Sequence, residues 1–138
     1  HTGIFFSQQD IFAGSLWDNI TLGSLDIQPQ ELVRQANKIG LGPFLGSLKD
    51  GFDTQLDSMG RRLSKSVRQR ILLLRAVVGH PKLLLLEDPW EGMEAGSQQQ
   101  LIDYLQSELK GCTIVVASTN QAFIQSADLV HHLPAITV

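Results

Sequence analysis

Two acids stand side by side where an apolar run meets a proline, Glu87 and Asp88 in "LLLLEDPW". A five-residue apolar run between Pro81 and Pro89 reads as a strand buried on both faces. In a parallel α/β sheet, ligands settle outside the carboxyl ends of the strands. One carboxylate there can hold a magnesium ion directly or through water, and a second beside it can orient an attacking water. The plain alternative is a strand that ends in solvated acids. The single cysteine, Cys112, precedes an apolar run and reads as a buried reduced thiol, since one thiol cannot close an internal disulfide.

The elements that must position these acids follow from spacing. "GIFF" (3–6) is a short apolar strand, and "IFAGSLWDNITLG" continues into a loop and the start of a helix. Pro29 opens a helix with Leu32, Ala36 and Ile39 at helical spacing, closed by Gly40, Gly42 and Pro43; a further turn runs through Phe44, Leu45 and Leu48. "KDGFDTQLDSMG" is polar and rich in turn residues. Ser64 is the N-cap of the next helix, which places Val67, Ile71, Leu74 and Val78 on one face and stops at Gly79 and Pro81. Ser97 to Leu109 is an amphipathic helix carrying Leu101, Ile102, Leu105 and Leu109 on one side, followed by the strand "CTIVVAS", a helix near Gln121 to Ser126, and a last strand around Leu129 to Leu133. Alternation of strand and helix predicts an α/β fold, a parallel sheet with helices on its faces.

With 138 residues, one core is expected, and a net charge of −3 argues against a general nucleic-acid surface. No run of about 18 apolar residues is present, and "HTGIFF" lacks the layout of a signal peptide, so an intracellular setting is expected.

The order of these segments resembles the nucleotide-binding cassette of an ABC transporter, exporter type, over nearly the whole chain. "FSQQDIFAGSLWDNI" is similar to that family's Q-loop segment, and "LKDGFDTQLDSMGRRLSKSVRQRILLLRAVVGHPKLLLLEDPWEGM" to the stretch from the signature motif through Walker B to the D-loop. "CTIVVAST…SADLV" is similar to the switch-histidine strand and the alanine-aspartate pair beyond it. The resemblance implies a partial P-loop NTPase-like parallel sheet with flanking helices plus the helical subdomain of ABC cassettes. Its parts are a Q-loop segment at 1–23, a helical subdomain with signature helix at 24–80, and a region from the Walker B strand to the switch and last strand at 81–138. It implies ATP and Mg2+ as ligands, a second cassette and transmembrane domains as partners, and a place on the cytoplasmic face of a membrane within a transporter.

Carried over residue by residue, the resemblance puts Ser64, Lys65 and Ser66 at the signature position, where the family has serine and two glycines. The glycines let backbone amides at a helix N-terminus approach a terminal phosphate, whereas Lys65 and Ser66 put side chains there. Lys65 reads either as a compensating charge or as a solvent-facing lysine. The family's Walker B ends aspartate then glutamate; here Glu87 takes the magnesium position and Asp88 the water-orienting one. Each carboxylate shifts by about one methylene, and roughly an ångström of misplacement costs on the order of 100-fold in rate. Glu94 replaces the D-loop aspartate, and the switch position falls on Thr119 or Ser118, neither able to titrate as histidine does. His1, His80, His131 and His132 all lie elsewhere. Gln8 fits the Q-loop position as a tentative metal contact, while an ungapped match places Ser7 there; Gln8 and Gln9 also read as ordinary solvated loop residues.

The phosphate-binding pattern G-x-x-x-x-G-K-[ST] is absent, as is any Gly-Lys pair, and by resemblance it would lie before residue 1. Apolar sheet surface is then expected to stand exposed. The leading expectation is a degenerate cassette segment that couples nucleotide binding and cassette pairing to transport with little or no hydrolysis of its own. The alternatives are an active ATPase with an unusual Walker B order, and a non-catalytic dimerisation module.

Overall fold

The computed structural model describes residues 1–6 and 8–134. Eleven elements succeed one another: β1 (Thr2–Phe5), β2 (Gly14–Ser15), α1 (Leu16–Thr21), α2 (Pro29–Lys38), α3 (Gly42–Ser47), β3 (Gln55–Leu56), α4 (Lys65–Val77), β4 (Leu83–Glu87), α5 (Ala95–Glu108), β5 (Thr113–Ala117) and α6 (Gln121–Ser126). Short 3-10 turns at Gly51–Asp53 and Ser58–Gly60 flank β3. The parallel sheet runs β1-β4-β5, with Gly3 beside Leu84 and Leu84 beside Ile114, so β4 is central. A two-residue antiparallel ladder pairs Gly14 with Leu56 and Ser15 with Gln55.

The α/β expectation holds, with one correction. The helices cover one face of the sheet, burying Gly3, Phe5, Leu84 and Leu86, while Ile4 is 37% and Val115 52% exposed on the other. "LLLLE" is therefore not buried on both faces: Leu84 and Leu86 are buried and Leu83 and Leu85 half-buried. A run of four leucines carries no alternation, so its composition cannot say which face is covered.

Helix α4 departs from the single-face expectation in the opposite direction. Ile71, Leu72, Leu73, Leu74, Ala76 and Val77 are all buried, because the helix lies between α1 and β1. A helix apolar around most of its circumference is an interior one. Its approach to β1 depends on Gly3, where a Cβ would stand 2.0 Å from the Ala76 carbonyl oxygen.

The helix boundaries lie close to expectation. Helix α5 begins at Ala95, two residues before the expected Ser97, and buries Leu101, Ile102 and Leu105. Helix α2 ends at Lys38; Gly40, at φ +85°, turns the chain so that the Leu41 N–H reaches the Ala36 carbonyl at 2.8 Å. The strand expected around Leu129 to Leu133 does not form: those residues carry no ladder, and Leu129 and Leu133 are 74% and 89% exposed. An apolar run of that length becomes a strand only where a neighbouring strand offers its free backbone groups.

Polar ties join α2 to α5. The Arg34 guanidinium pairs with Glu31 at 2.8 Å and with Glu108 at 2.9 Å, and Lys38 meets Glu108 at 2.7 Å. Beneath them the buried Tyr104 hydroxyl donates to Gln35 Oε1, and burial pushes its pKa up. Hydrogen bonds from Arg34 and then Gln35 hold the Glu31 carboxyl at about 2, below its ordinary 4.5. A depressed carboxylate pKa adds stability that is complete above the unfolded value and lost as pH falls through the folded one. The stability difference between the native chain and Glu31→Gln, measured by denaturant unfolding, is therefore expected to shrink steadily as pH falls from about 4.5 towards 2. A difference that grew on acidification would contradict this.

Candidate functional site

The site lies where β4 and β5 end side by side. Glu87, the last residue of β4, pairs with Ala117 of β5, and the next N–H, that of Asp88, donates to the Ala117 carbonyl at 3.0 Å. Asp88, Trp90, Glu91, Thr119 and Asn120 line an open pocket of about 280 Å3. The backbone at Asp88 is left-handed, with φ +39°, although it is not glycine and precedes Pro89. Such a conformation costs on the order of 1–3 kcal/mol, and proline pushes the preceding residue towards extended backbone instead.

Of the two switch candidates, Thr119 reaches the pocket with Asp88, and Ser118 is engaged elsewhere. Ser118 Oγ accepts hydrogen bonds from Trp90 Nε1 at 3.0 Å and from the Asn120 N–H at 2.9 Å. Asn120 caps α6 by accepting from the Phe123 N–H at 3.3 Å. Trp90 itself is 4% exposed and stacks on Phe123, ring centroids 3.4 Å apart.

The serine at the head of α4 behaves as capping chemistry predicts: Ser64 Oγ accepts from the Val67 N–H at 3.2 Å. The two residues after it are occupied within the chain. Lys65 Nζ stands 3.3 Å from Glu91 Oε1, and Gln69 Nε2 donates to the Glu91 carbonyl at 3.2 Å, so the head of α4 is tied to the loop after β4. Ser66 Oγ accepts from the Arg70 guanidinium. Lys65 is thus exposed, as the plainer reading held, yet paired.

Gln8 lies just past the end of β1, the neighbour of β4, and is exposed; the alternative, Ser7, lies outside the described residues. The turn there is closed by Gln9, whose N–H donates to the Phe6 carbonyl at 3.0 Å and whose Oε1 accepts the Phe6 N–H at 3.1 Å. The segment after this turn is fixed to α1 and α4. Asn19, fully buried, donates from Nδ2 to the carbonyls of Phe12 and Ser15, both at 3.0 Å, and accepts the Phe12 N–H at 3.0 Å. Arg75 donates to the Asn19 carbonyl at 2.6 Å, to Asn19 Oδ1 at 3.2 Å and to the Asp10 carbonyl at 3.2 Å, while its guanidinium lies 5.6 Å from the Phe12 ring centre. Burial pulls the Arg75 pKa down and the Asp10 charge opposes that pull. Arg68 adds an ion pair to Asp10 at 3.2 Å.

Reading along the sequence missed Trp90, Glu91 and Asn120 as site residues. An asparagine just before a helical stretch is a capping signal that points to Asn120. Nothing local marks Trp90, whose partners lie 28 and 33 residues further on.

Two carboxylates, a threonine hydroxyl and an asparagine around one pocket, with Glu87 one residue before Asp88, include hard oxygen donors of the kind that suit Mg2+. Among the described residues no group of three or more histidine, cysteine or acidic side chains forms a metal cage.

No protein-family profile matches the chain. Curated relatives do. The chain is 29% identical over 133 residues to ABC transporter B family member 3 of Dictyostelium discoideum, which covers 96% of this chain and 9% of that protein. It is 31% identical over 126 residues to the ABC-type transmembrane transporter verA of Clonostachys rogersoniana, 89% of this chain and 10% of that one. It is 32% identical over 124 residues to P-glycoprotein 14 of Caenorhabditis elegans, 89% and 9%. The chain thus spans about a tenth of the length of these relatives. Its fold superposes on a bacterial Atm1-family ABC exporter with ATP bound at a TM-score of 0.82 and 21% identity, over 92% of this chain and 22% of that one. No helix among the described residues is long and apolar enough to cross a membrane. The parallel sheet with its flanking helices and the relatives spanning nearly all of its length agree: the chain belongs to the ABC transporter family, as a segment of an ABC cassette.

Proposed function

We propose that this segment serves a degenerate cassette, one that binds nucleotide and pairs with a second cassette to drive transmembrane domains, with little or no hydrolysis of its own. The carrying observation is the residue that lines the pocket with Asp88: it is Thr119, which cannot exchange a proton near neutral pH, while Ser118 is held by Trp90. The head of α4 supports the same reading. Lys65 and Ser66 stand where close backbone approach to a phosphate needs glycine, and both side chains already have partners.

In this reading the ligand is ATP with Mg2+, and the ion supplies charge neutralisation at the phosphates. Glu87 and Gln8, at the ends of neighbouring strands, would hold the ion. Asp88 takes the water-orienting position with a side chain one methylene shorter than glutamate, which weakens its hold on a water more than it weakens binding. The assembly would work at the cytoplasmic face of a membrane. The retained pair of acids favours one competing reading, an active ATPase in which Glu87 binds magnesium and Asp88 orients water.

The deciding measurement is a sensitive ATPase assay on the full-length parent protein, with Glu87→Gln and Asp88→Asn alongside. Whatever turnover a second cassette supplies is expected to stay within about twofold of the native level in both variants, since a site that hydrolyses on the order of 100-fold more slowly adds nothing measurable to it. Turnover that either substitution abolishes would overturn the proposal in favour of the active ATPase.

A further inference from the structure

The loop leaving β4 holds a strained acid next to an over-anchored aromatic residue. Asp88 has a left-handed backbone at φ +39° and is followed by the buried Pro89 and Trp90. An unfavourable conformation persists only where its surroundings over-determine it. Here two backbone bonds bracket the residue: its N–H donates to the Ala117 carbonyl at 3.0 Å, and its carbonyl accepts the Glu91 N–H at 3.1 Å. The first ties the residue to the end of β5 and the second closes a local turn. A further tie lies two residues on, where the Trp90 ring stacks on Phe123 of α6 and its Nε1–H reaches Ser118 Oγ at 3.0 Å.

The partners of Trp90 are themselves fixed. Ser118 Oγ also accepts the Asn120 N–H at 2.9 Å, Asn120 Nδ2 donates to Gln98 Oε1 at 3.1 Å, and Gln98 Nε2 donates to the Met93 carbonyl at 3.1 Å. The chain of bonds leaves the loop at Trp90, passes through the end of β5 and helix α5, and returns to the same loop at Met93. With both ends of the loop held, its first residue has little freedom to relax.

We propose that Trp90 is a positioning residue. Its anchorage on Ser118 and Phe123 holds Asp88 in the left-handed conformation and thereby sets where the Asp88 carboxylate meets the pocket shared with Thr119. The role assigned to that carboxylate rests on the function proposed above; the mechanical coupling between Trp90 and Asp88 does not.

A double-mutant cycle on thermal unfolding of the full chain separates coupling from simple packing. Asp88→Gly relieves a left-handed backbone, and its effect is measured in the native background, in Ser118→Ala, and in Trp90→Phe. Ser118→Ala removes the indole's acceptor and leaves the stack, so it stays informative even where Trp90→Phe fails to fold. The extra freedom that glycine gives the unfolded chain is the same in every background and cancels. The expected result is a Tm change on Asp88→Gly more favourable by a few degrees in the native background than in either variant, since loosening Trp90 leaves no strain to relieve. Equal Tm changes in all backgrounds would make Trp90 a packing residue only and overturn the inference. The cycle uses no nucleotide, so it decides the coupling whether or not the full chain binds ATP.

Discussion

Gly3→Ala is expected to unfold or severely destabilise this chain, by about 3 kcal/mol or more. A methyl group at position 3 would lie 2.0 Å from the Ala76 carbonyl oxygen and 2.9 Å from Leu84 Cδ1. The first of these is backbone inside α4, which has no rotamer to escape into. Either β1 lifts from α4 or α4 bends, and both α4 and the face of β1 carrying Phe5 belong to the core. The effect reaches function through position: β1 leads to Gln8, and its neighbour β4 leads to Glu87 and Asp88. Gly46→Ala is the matched control, because nothing stands within 4 Å of the added methyl and the site is helical. It should fall within about 0.5 kcal/mol of the native chain or slightly above it. Denaturant unfolding of both variants makes the comparison, and similar midpoints would refute the close approach.

The second large effect is expected at Arg75. Arg75→Ala removes the donor for three acceptors at once, the Asn19 and Asp10 carbonyls and Asn19 Oδ1. The Asn19 and Asp10 carbonyls left without this donor, Asn19 Oδ1 keeping only the Phe12 N–H, and a charged donor lost should together cost about 3 kcal/mol. Arg75→Lys should recover only part of that, since one ammonium cannot reproduce the fork that spans Asn19 and Asp10. The loss should also be uneven. Amide exchange is expected to speed up most over residues 10–19, which hang on α4 through this side chain, and least in β4 and β5, whose bonds are mutual ladders. Uniform acceleration would mean that Arg75 supports the whole core rather than the segment after Gln8.

Much of the scaffold was legible because its signals are local. Ser64 before an apolar helix, Pro29 opening α2 and glycines closing it are each a backbone requirement met within four residues. The acids at the end of β4 were legible for the same reason: prolines bound the short apolar run at both ends, and Asp88 does line the pocket. The β2–β3 ladder was not, since two residues of pairing across 40 positions leave no periodicity to read. Leu129 to Leu133 misled for the converse reason, having the composition of a strand without a ladder to join.

The residue types alone gave the chemistry on offer: two carboxylates at a strand end, a lysine and a serine after the capping Ser64, and hydroxyl residues rather than histidine at positions 118 and 119. Those facts rest on chemical identity, which folding does not change. Which of Thr119 and Ser118 shares a pocket with Asp88, where Lys65 finds its counter-charge, and what anchors Trp90 came from the packing of segments 26 to 33 residues apart. Such contacts have no local signature, because they are set by how β4, β5 and α6 pack rather than by any residue's own preference.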